Sequence, residues 1–389
     1  ARAIKEAALR TAYRNGFATE KLFVEDYYGE NAHWLDDYCA FMIIRQIQGE
    51  AAWYNWQERY RNYSRQLVEE VKEKHSEQFW YYVFCQYIFD EQWHMVKRYA
   101  NDKGIAIIGD IPIYVAADSV DAWANGELFL MDDDKRMTQV AGCPPDAFSE
   151  SGQHWGNPVY DWQALADSDY SWWVARLKQV LKYYDSVRID HFRGFESYWS
   201  IPAAAETARA GKWVKGPGIA LFDAIRRQLG EVDIIAEDLG LLTDDVIALR
   251  EACGFPGMKV LQFAFDAAGD SLYLPHNLTE DSVVYTGTHD NDTVIGWTKT
   301  VDRDSLQYAI EYLKLDEAEG YAWGFIRAAW RSVCRIAIAP MQDFLNLDSA
   351  ARINTPATVD GNWLWRLDSA QLDAELAARI AKLTKCYRR

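Results

Sequence analysis

The sequence lacks the short motifs that mark several large classes of enzyme. Neither G-x-G-x-x-G nor G-x-x-x-x-G-K-[ST] occurs, so nothing local predicts a nucleotide site. The G-x-S-x-G elbow of many serine hydrolases is also missing. The six cysteines form no C-x-x-C pair, and no nearby histidine completes a zinc-binding spacing. We therefore expect no metal, and free thiols in a reducing compartment such as the cytoplasm.

Signals for secretion, membranes and nucleic acids are equally scarce. The opening stretch, ARAIKEAALRTAYRNGF, has no basic region followed by an apolar run, so we expect no signal peptide. No segment approaches the roughly 20 apolar residues that span a bilayer. Lys and Arg number 41 against 58 Asp and Glu, a formal charge of −17, with no basic run. Because such a chain repels polyanions, we expect no nucleic acid and no membrane partner.

Aromatic residues, by contrast, are abundant: 17 Trp and 23 Tyr among 389 residues. Sugar rings stack their C–H faces on aromatic rings, while their hydroxyls need polar partners, and Trp and Tyr combine an apolar body with a polar tip. A Trp-rich core is the alternative and accounts for part of this content. The composition therefore fits a neutral carbohydrate ligand without requiring one.

The pattern of apolar residues divides the chain at about residue 104. Before it, residues 51–103 contain no Gly or Pro, and apolar residues recur at helical spacing, which predicts a helical insertion subdomain over 1–104. Residues 105–389 are predicted to form the catalytic α/β portion, because short apolar runs alternate there with amphipathic helices such as 171–182. The predicted strands lie within residues 105–110, 186–190, 232–237, 259–266, 283–290 and 335–340.

Four carboxylates, Asp110, Asp190, Glu237 and Asp290, end four of these apolar runs. Carboxylates at the same end of parallel strands would converge on the active-site face of a (β/α)8 TIM barrel. A doubly wound open sheet is the alternative, but it would place its ligand at one switch point. A closed barrel needs eight strands and only six are predicted. The other two either lie within the helical first hundred residues or are absent from this chain.

Clustered carboxylates suit the cleavage of glycosidic bonds. They raise one another's pKa, so one can stay protonated as an acid while another stays ionised. Arg188 shares a strand face with Asp190 and can hold it ionised, or form a purely structural ion pair. His289 and His191 can hydrogen-bond sugar hydroxyls, although His191 also fits a packing role. The run Asp132–Asp134 lacks EF-hand spacing, so we expect a solvated loop rather than a metal site.

A segment over 130–165 is predicted to be a substrate loop. Its part 141–158 is rich in Gly and Pro, which predicts irregular structure rather than helix or strand. Gln153, Trp155 and Asn157 would supply one stacking surface and two amides, a combination that suits a sugar. A structural Ω-loop is the alternative.

Seven motifs occur in the order and register of one known family. They are GDIPIYVAADSVDAWANGELF (109–129), VAGCPPDAFSESGQHWGNPVYDW (140–162), VRIDHFRGFESYWSIPA (187–203), IIAEDLGLLT (234–243), GFPGMKVLQFAFD (254–266), VVYTGTHDNDT (283–293) and INTPATVDGNWLWR (353–366). From about residue 34 to its end, the chain resembles the amylomaltase family of 4-α-glucanotransferases, also called disproportionating enzymes.

The resemblance implies a retaining double displacement on α-1,4-glucans and maltooligosaccharides, with no metal or organic cofactor. It implies that Asp190 is the nucleophile, Glu237 the acid/base and Asp290 the carboxylate that stabilises the transition state. It further implies substrate contacts from Asp110, Gln153, Trp155, Asn157, Arg188, His289 and Asn354.

Two alternatives share these residues. An α-amylase-like hydrolase would use the same three carboxylates. An inactive, truncated glucan-binding fragment is the second, because family members begin with two barrel strands and an S-P-Y type loop that nothing here matches. We therefore expect a barrel with helical insertions that lacks its first two strands, in agreement with the count of six.

Overall fold

A computed structural model of the chain describes residues 2–145, 150–240, 242–266, 269, 271–356, 358 and 360–389. The chain forms two compact units, Ala1–Asp233 and Ile234–Arg389. The domain boundary predicted near residue 104 stays a prediction. Within the described ranges, no helix combines the length and the apolarity that crossing a membrane requires.

The first unit contains a long helical region followed by alternating strands and helices. Its helices are α1 (Arg2–Ile47), α2 (Glu58–Arg61), α3 (Arg65–Lys74), α4 (Ser76–Asp102), α5 (Val120–Ala124), α6 (Trp162–Asp167), α7 (Ser171–Tyr183) and α8 (Ile219–Leu229). Its strands are β1 (Ile108–Pro112), β2 (Gln139–Cys143), β3 (Gln153–Pro158), β4 (Ser186–Asp190), β5 (Ser197–Pro202) and β6 (Lys212–Lys215).

Helices α1–α4 lie within residues 2–104, and aromatic rings pack against them. The ring of Phe41 lies 5.1 Å from that of Trp56 and 5.7 Å from that of Trp123, and all three side chains are almost fully buried. Ser64 caps α3 by accepting a hydrogen bond from Leu67 N. Residues 2–104, all of them described, contain no strand. The two strands missing from the predicted barrel therefore do not lie there.

Strand β1 pairs in parallel with β4, with Asp110 opposite Arg188 and Pro112 opposite Asp190. The strand begins later than predicted, so Asp110 lies at its centre and not at its end. Ile107 is bonded to the residue just before β4 instead: its N donates to the Asp185 carboxylate at 2.8 Å, and its O accepts from Asp185 N at 2.8 Å. The parallel ladder therefore begins one residue later, where Ile108 lies opposite Ser186.

The segment 141–158 corrects one prediction, since residues 141–143 and 153–158 are strand and not irregular. Strand β2 pairs antiparallel with β3 and with β5, giving the order β3-β2-β5-β6. The register shifts between Val140 and Gly142, as in a β-bulge. A Cβ on Gly142 would lie 2.1 Å from Gln153 O, so glycine is required for the close approach of the two strands. Residues 146–149 of this segment lie outside the described residues.

The second unit is built on parallel strands covered by helices. Its strands are β7 (Ile234–Ala236), β8 (Gly257–Val260), β9 (Ser282–Tyr285) and β10 (Ile336–Ile338). Its helices are α9 (Asp244–Cys253), α10 (Val294–Thr300), α11 (Arg303–Leu313), α12 (Tyr321–Arg331), α13 (Met341–Phe344) and α14 (Ala374–Tyr387). Strand β9 pairs in parallel with β8 and β10. Ala236 N donates to Pro256 O, just ahead of β8.

The strand predicted over 259–266 is shorter than expected. Strand β8 ends at Val260, and a 3₁₀ helix, Leu261–Phe263, follows it. Beyond this turn the buried ring of Phe265 packs against Phe325 and lies 6.4 Å from the ring of Trp297. These residues are apolar because they enter the core that α10–α12 form, rather than because they continue the strand.

Phe325 is fully buried, with ring centroids 5.7 Å from Phe265 and 5.3 Å from Trp297. We expect Phe325→Ala to lower the free energy of unfolding by about 3–5 kcal/mol, because it leaves a cavity in the core. Phe23, which is 62% exposed, is the matched control. Phe23→Ala should change the free energy of unfolding by less than about 0.5 kcal/mol. Urea unfolding followed by circular dichroism measures the free energy of unfolding of both variants. Equal losses in the two variants would contradict this description of the core.

Candidate active site

Arg188 joins two of the predicted carboxylates in the first unit. Its Nη1 lies 2.8 Å from both Oδ1 and Oδ2 of Asp110, and its Nη2 donates to Asp190 Oδ1 at 2.8 Å. The parallel register of β1 and β4 produces this arrangement, and the two-residue spacing on β4 puts Arg188 and Asp190 on one face, as predicted. Arg188 is buried, while the Asp110 and Asp190 side chains are 41% and 45% exposed. The guanidinium therefore orients two carboxylates that a ligand can reach.

His191 follows Asp190 and links it to the predicted stacking residue. Its backbone is left-handed (φ +54°), and its ring lies edge to face with Trp155 at 4.9 Å between centroids. Burial, assisted by the positive charge of Arg193, lowers the pKa of His191 to about 3. The imidazole is therefore neutral near pH 7. It can pack against the indole because no buried charge has to be solvated.

The remaining predicted contacts of this unit lie on β3, where alternate residues share a face. Trp155 Nε1 donates to Gln153 Oε1 at 3.0 Å, which ties the indole to the amide. Asn157 Nδ2 donates to Val115 O at 2.8 Å, so this amide is anchored to the backbone just after β1. The first unit thus brings together Asp110, Arg188 and Asp190, and places Trp155 near them through His191.

Glu237 directly follows β7 in the second unit. Its Oε1 accepts a hydrogen bond from Leu239 N at 3.0 Å. The next residue, Asp238, is buried, accepts from Met258 N at 2.7 Å and pairs with Arg250 at 3.3 Å. These contacts fasten the end of β7 to the start of β8. The position of Glu237 is therefore set by the carboxylate beside it.

Asp290, His289 and Asn354 also come together in the second unit. Asn354 Nδ2 donates to Asp290 Oδ1 at 2.6 Å, and His289 Nε2 lies 3.3 Å from Asp290 Oδ2. Arg352 Nη2 donates to Asp290 O at 2.7 Å. Asp290 lies five residues after β9 rather than at its end, so a loop carries it, and these bonds fix its side chain and its backbone.

Asp343 holds both ends of the loop that carries Asp290. It is 1% exposed, accepts from Thr286 Oγ1 at 2.6 Å and from Val294 N at 2.8 Å. Thr286 follows β9, and Val294 is the first residue of α10. The buried carboxylate of Asp343 therefore fixes the distance between the two ends of the loop 287–293.

Metal ligands are not grouped in the part of the chain described here: it contains no cluster of three or more His, Cys, Asp or Glu arranged to hold an ion. The run Asp132–Asp134 lies in a turn, where Asp132 Oδ1 accepts from Arg136 N at 2.9 Å. The turn is bracketed by the antiparallel bridge between Met131 and Met137.

Comparison with known proteins identifies the family. A family model described as 4-alpha-glucanotransferase, glycoside hydrolase family 77, matches residues 1–372. The 4-alpha-glucanotransferase of Clostridium butyricum is 46% identical over 387 residues, which cover 99% of this chain and 80% of that protein. The enzyme of the same name from Thermus thermophilus is 43% identical, covering 99% of this chain and 79% of the relative. The chain belongs to this family.

Solved structures support the same assignment. The amylomaltase from Streptococcus agalactiae, determined in complex with acarbose, matches with a TM-score of 0.96 and 38% identity over 100% of this chain and 79% of that chain. The amylomaltase from Corynebacterium glutamicum, 20% identical with a TM-score of 0.74 over 98% of this chain and 59% of its own, shows the fold alone. The predicted 4-α-glucanotransferase and its α/β fold are confirmed, in preference to the hydrolase and the inactive fragment.

Three side chains that hold the candidate residues Glu237 and Asp290, or the segments that carry them, were missed by sequence reasoning. Asp238 follows Glu237 directly, so its position beside a strand end was a usable signal. Asp343 comes shortly after the last predicted strand, but no local pattern indicated its distant partners, Thr286 and Val294. Arg352 had no signal, because its contact with Asp290 O depends on a distant loop.

Asp343 makes the stability of the protein depend on pH. Burial raises its pKa to about 6 from an ordinary 3.8, with the charge of Asp292 acting in the same direction. Since the folded state binds this proton more tightly than the unfolded state, its contribution to stability is greatest below pH 4 and is lost as pH rises through 6. Asn does not titrate, so Asp343→Asn lacks this dependence on pH. The free energy of unfolding of the wild type minus that of the variant should fall by up to about 3 kcal/mol between pH 4 and pH 7.

Urea unfolding of both proteins at pH 4, 5.5 and 7 measures this difference directly. Using a difference between two proteins cancels the titration of the other carboxylates, which both share. A difference that stays constant over the three pH values would contradict a raised pKa for Asp343.

Proposed function

We propose that this chain transfers α-1,4-glucan segments between maltodextrins by a retaining double displacement, with Asp190, Glu237 and Asp290 as its catalytic residues. The observation that carries the proposal is the set of three hydrogen bonds from Arg188, two to Asp110 and one to Asp190. A nucleophilic carboxylate must be ionised and aimed, and a buried guanidinium does both. The family to which the chain belongs adds the reaction class.

Asp190 attacks the anomeric carbon and forms a glucosyl-enzyme ester in the first step. As the bond to the leaving oxygen breaks, Glu237 gives its proton to that oxygen, so the shortened glucan leaves with a free 4-hydroxyl. In the second step Glu237 takes the proton from the 4-hydroxyl of an acceptor glucan. The acceptor oxygen then attacks the same carbon and displaces Asp190, which restores the α-configuration.

Asp290 has a different task in this proposal. Positive charge develops on the ring carbon and oxygen in the transition state, and a carboxylate that binds the sugar hydroxyls stabilises it. The bonds from Asn354 and Arg352 support this role, because they fix Asp290 before the substrate arrives. His289, 3.3 Å from Asp290, would share a sugar hydroxyl with it.

Transfer requires an acceptor sugar to compete successfully with water. We assign Trp155 and Gln153 to acceptor binding, since the indole offers a stacking face and is held by the amide and by His191. Asp110 and Asn157 are assigned to hydroxyl recognition. An indole that covers the glucosyl-enzyme would also limit the access of water.

The (β/α)8 barrel and the cellular location belong to the same proposal. Parallel pairing of β1 with β4, and of β9 with β8 and β10, supports a barrel built from strands of this type. All six cysteines are free, which supports a reducing compartment, the cytoplasm. The proposed substrates, maltooligosaccharides and α-1,4-glucans, are uncharged.

Maltotriose incubated with the purified chain should yield glucose together with maltodextrins longer than three units. Glu237→Gln should lower the initial rate by at least about 10³-fold, because the acid/base proton is lost. Glu231→Gln is the matched control, since the Glu231 side chain is 84% exposed and pairs with the surface residue Arg226. Its rate should stay within about twofold of the wild type, as is usual for a surface substitution.

Chromatography of the sugars separates the possible outcomes of this experiment. Products shorter than the substrate, without longer ones, would indicate hydrolysis. An unchanged sugar pool would indicate a binding protein. Unaltered transfer by Glu237→Gln would overturn the acid/base assignment alone.

Arg188→Lys tests the ion pairs that carry the proposal. An ammonium group keeps the charge but cannot reach two carboxylates in fixed directions, so kcat for disproportionation should fall by about 10²-fold. Arg226→Lys, on the surface of the same unit, should leave kcat unchanged and controls for the substitution itself. Equal kcat values for the two variants would show that the guanidinium geometry is not needed.

A further inference from the structure

Trp363 is the most exposed of the 17 tryptophans. Its exposed fraction is 55%, against 41% for Trp213 and 37% for Trp155, and all the others are more buried. A single exposed apolar side chain is ordinary by itself. Trp363 is distinguished by its backbone conformation and by its neighbours.

The backbone of Trp363 is left-handed, with φ +62°. Bulky residues rarely adopt this region, and when they do, the surrounding structure must impose it. Here Trp363 N donates to Ile353 O at 2.7 Å, and Arg366 Nη1 donates to Trp363 O at 2.8 Å. The chain before it is fixed as well, since Thr355 N donates to Asn362 Oδ1 at 2.9 Å. The backbone that carries the indole is therefore fixed, although the residue is 55% exposed.

The neighbour of the indole is His289. The two ring centroids lie 5.3 Å apart with an interplanar angle of 39°. His289 in turn contacts Asp290, whose Oδ1 accepts a hydrogen bond from Asn354. Asn354 and Trp363 belong to one segment, 353–366, which therefore presents an amide and an apolar ring around the same pair of polar side chains.

We propose that Trp363 is a specificity-determining residue that stacks on a glucosyl ring next to the ring bound by His289 and Asp290. A sugar needs an apolar surface for its C–H face and polar groups for its hydroxyls at the rim, and this is the combination that Trp363, His289 and Asp290 offer. The inference deepens the proposed glucan transfer and rests on it. It assigns to the second unit a stacking surface separate from Trp155.

The test compares three substitutions that separate the ring from the backbone. Trp363→Ala removes the ring, and Trp363→Gly removes the ring while relieving the left-handed backbone. Trp363→Phe keeps an aromatic face. We expect the KM for maltotriose to rise about tenfold for Ala and Gly, with kcat within about threefold of the wild type, and Phe to restore most of the affinity. Leu364→Ala, at a side chain 72% exposed in the same segment, is the matched control and should match the wild type.

Each outcome of these measurements has one meaning. A KM unchanged in Trp363→Ala would overturn the inference while wild-type transfer still supports the proposed function. A wild type that fails to lengthen maltotriose would refute the proposed function itself. A fall in kcat that is equal for Ala, Gly and Phe, with little change in KM, would mean that Trp363 only maintains the loop, and would also overturn the inference. Calorimetric titration of maltotriose into Glu237→Gln, with and without Trp363→Ala, should show the same tenfold loss of affinity.

Discussion

A buried guanidinium between two carboxylates is the constraint on which the first unit depends. Burying Arg188 without partners would cost several kcal/mol, and Asp110 and Asp190 face it because β1 and β4 pair in one particular register. A slip of one residue would turn Arg188 and Asp190 to the opposite face of the sheet. The strand pairing and the chemistry proposed for Asp190 are therefore set by the same ion pairs.

The second unit fixes its carboxylates in another way, through backbone anchors. Asp238 fastens the end of β7 beside Glu237, and Asp343 joins the end of β9 to the start of α10. Asp290 lies in the loop between these two ends of β9 and α10. It accepts hydrogen bonds at both its side chain and its backbone carbonyl. Buried carboxylates thus hold two partly buried ones, Glu237 and Asp290, which would lower the reorganisation needed in the proposed reaction.

Local patterns in the sequence predict the helices and the contacts between residues that are close together in the chain. The apolar spacing predicts a helix over 171–182, and α7 spans Ser171–Tyr183, while strand periodicity predicts the contact between Arg188 and Asp190. The pairing of β2 with β3 was not predictable, because Gly and Pro indicate a loop locally while the ladder bonds are made across the sheet. The role of Asp343 was hidden for the same reason, since its partners lie 49 and 57 residues away.

The ion-pair group of Arg188, Asp110 and Asp190 also bears on which glucans the proposed reaction would accept. Two carboxylates and one guanidinium carry a formal charge of −1, which would lie beside the reacting bond in the proposed mechanism. A neutral maltodextrin meets no electrostatic barrier there, whereas a phosphorylated or oxidised glucan would bring like charge into a partly desolvated site. If Asp190 acts as proposed, the charge of this group would favour unmodified glucan chains over their anionic derivatives.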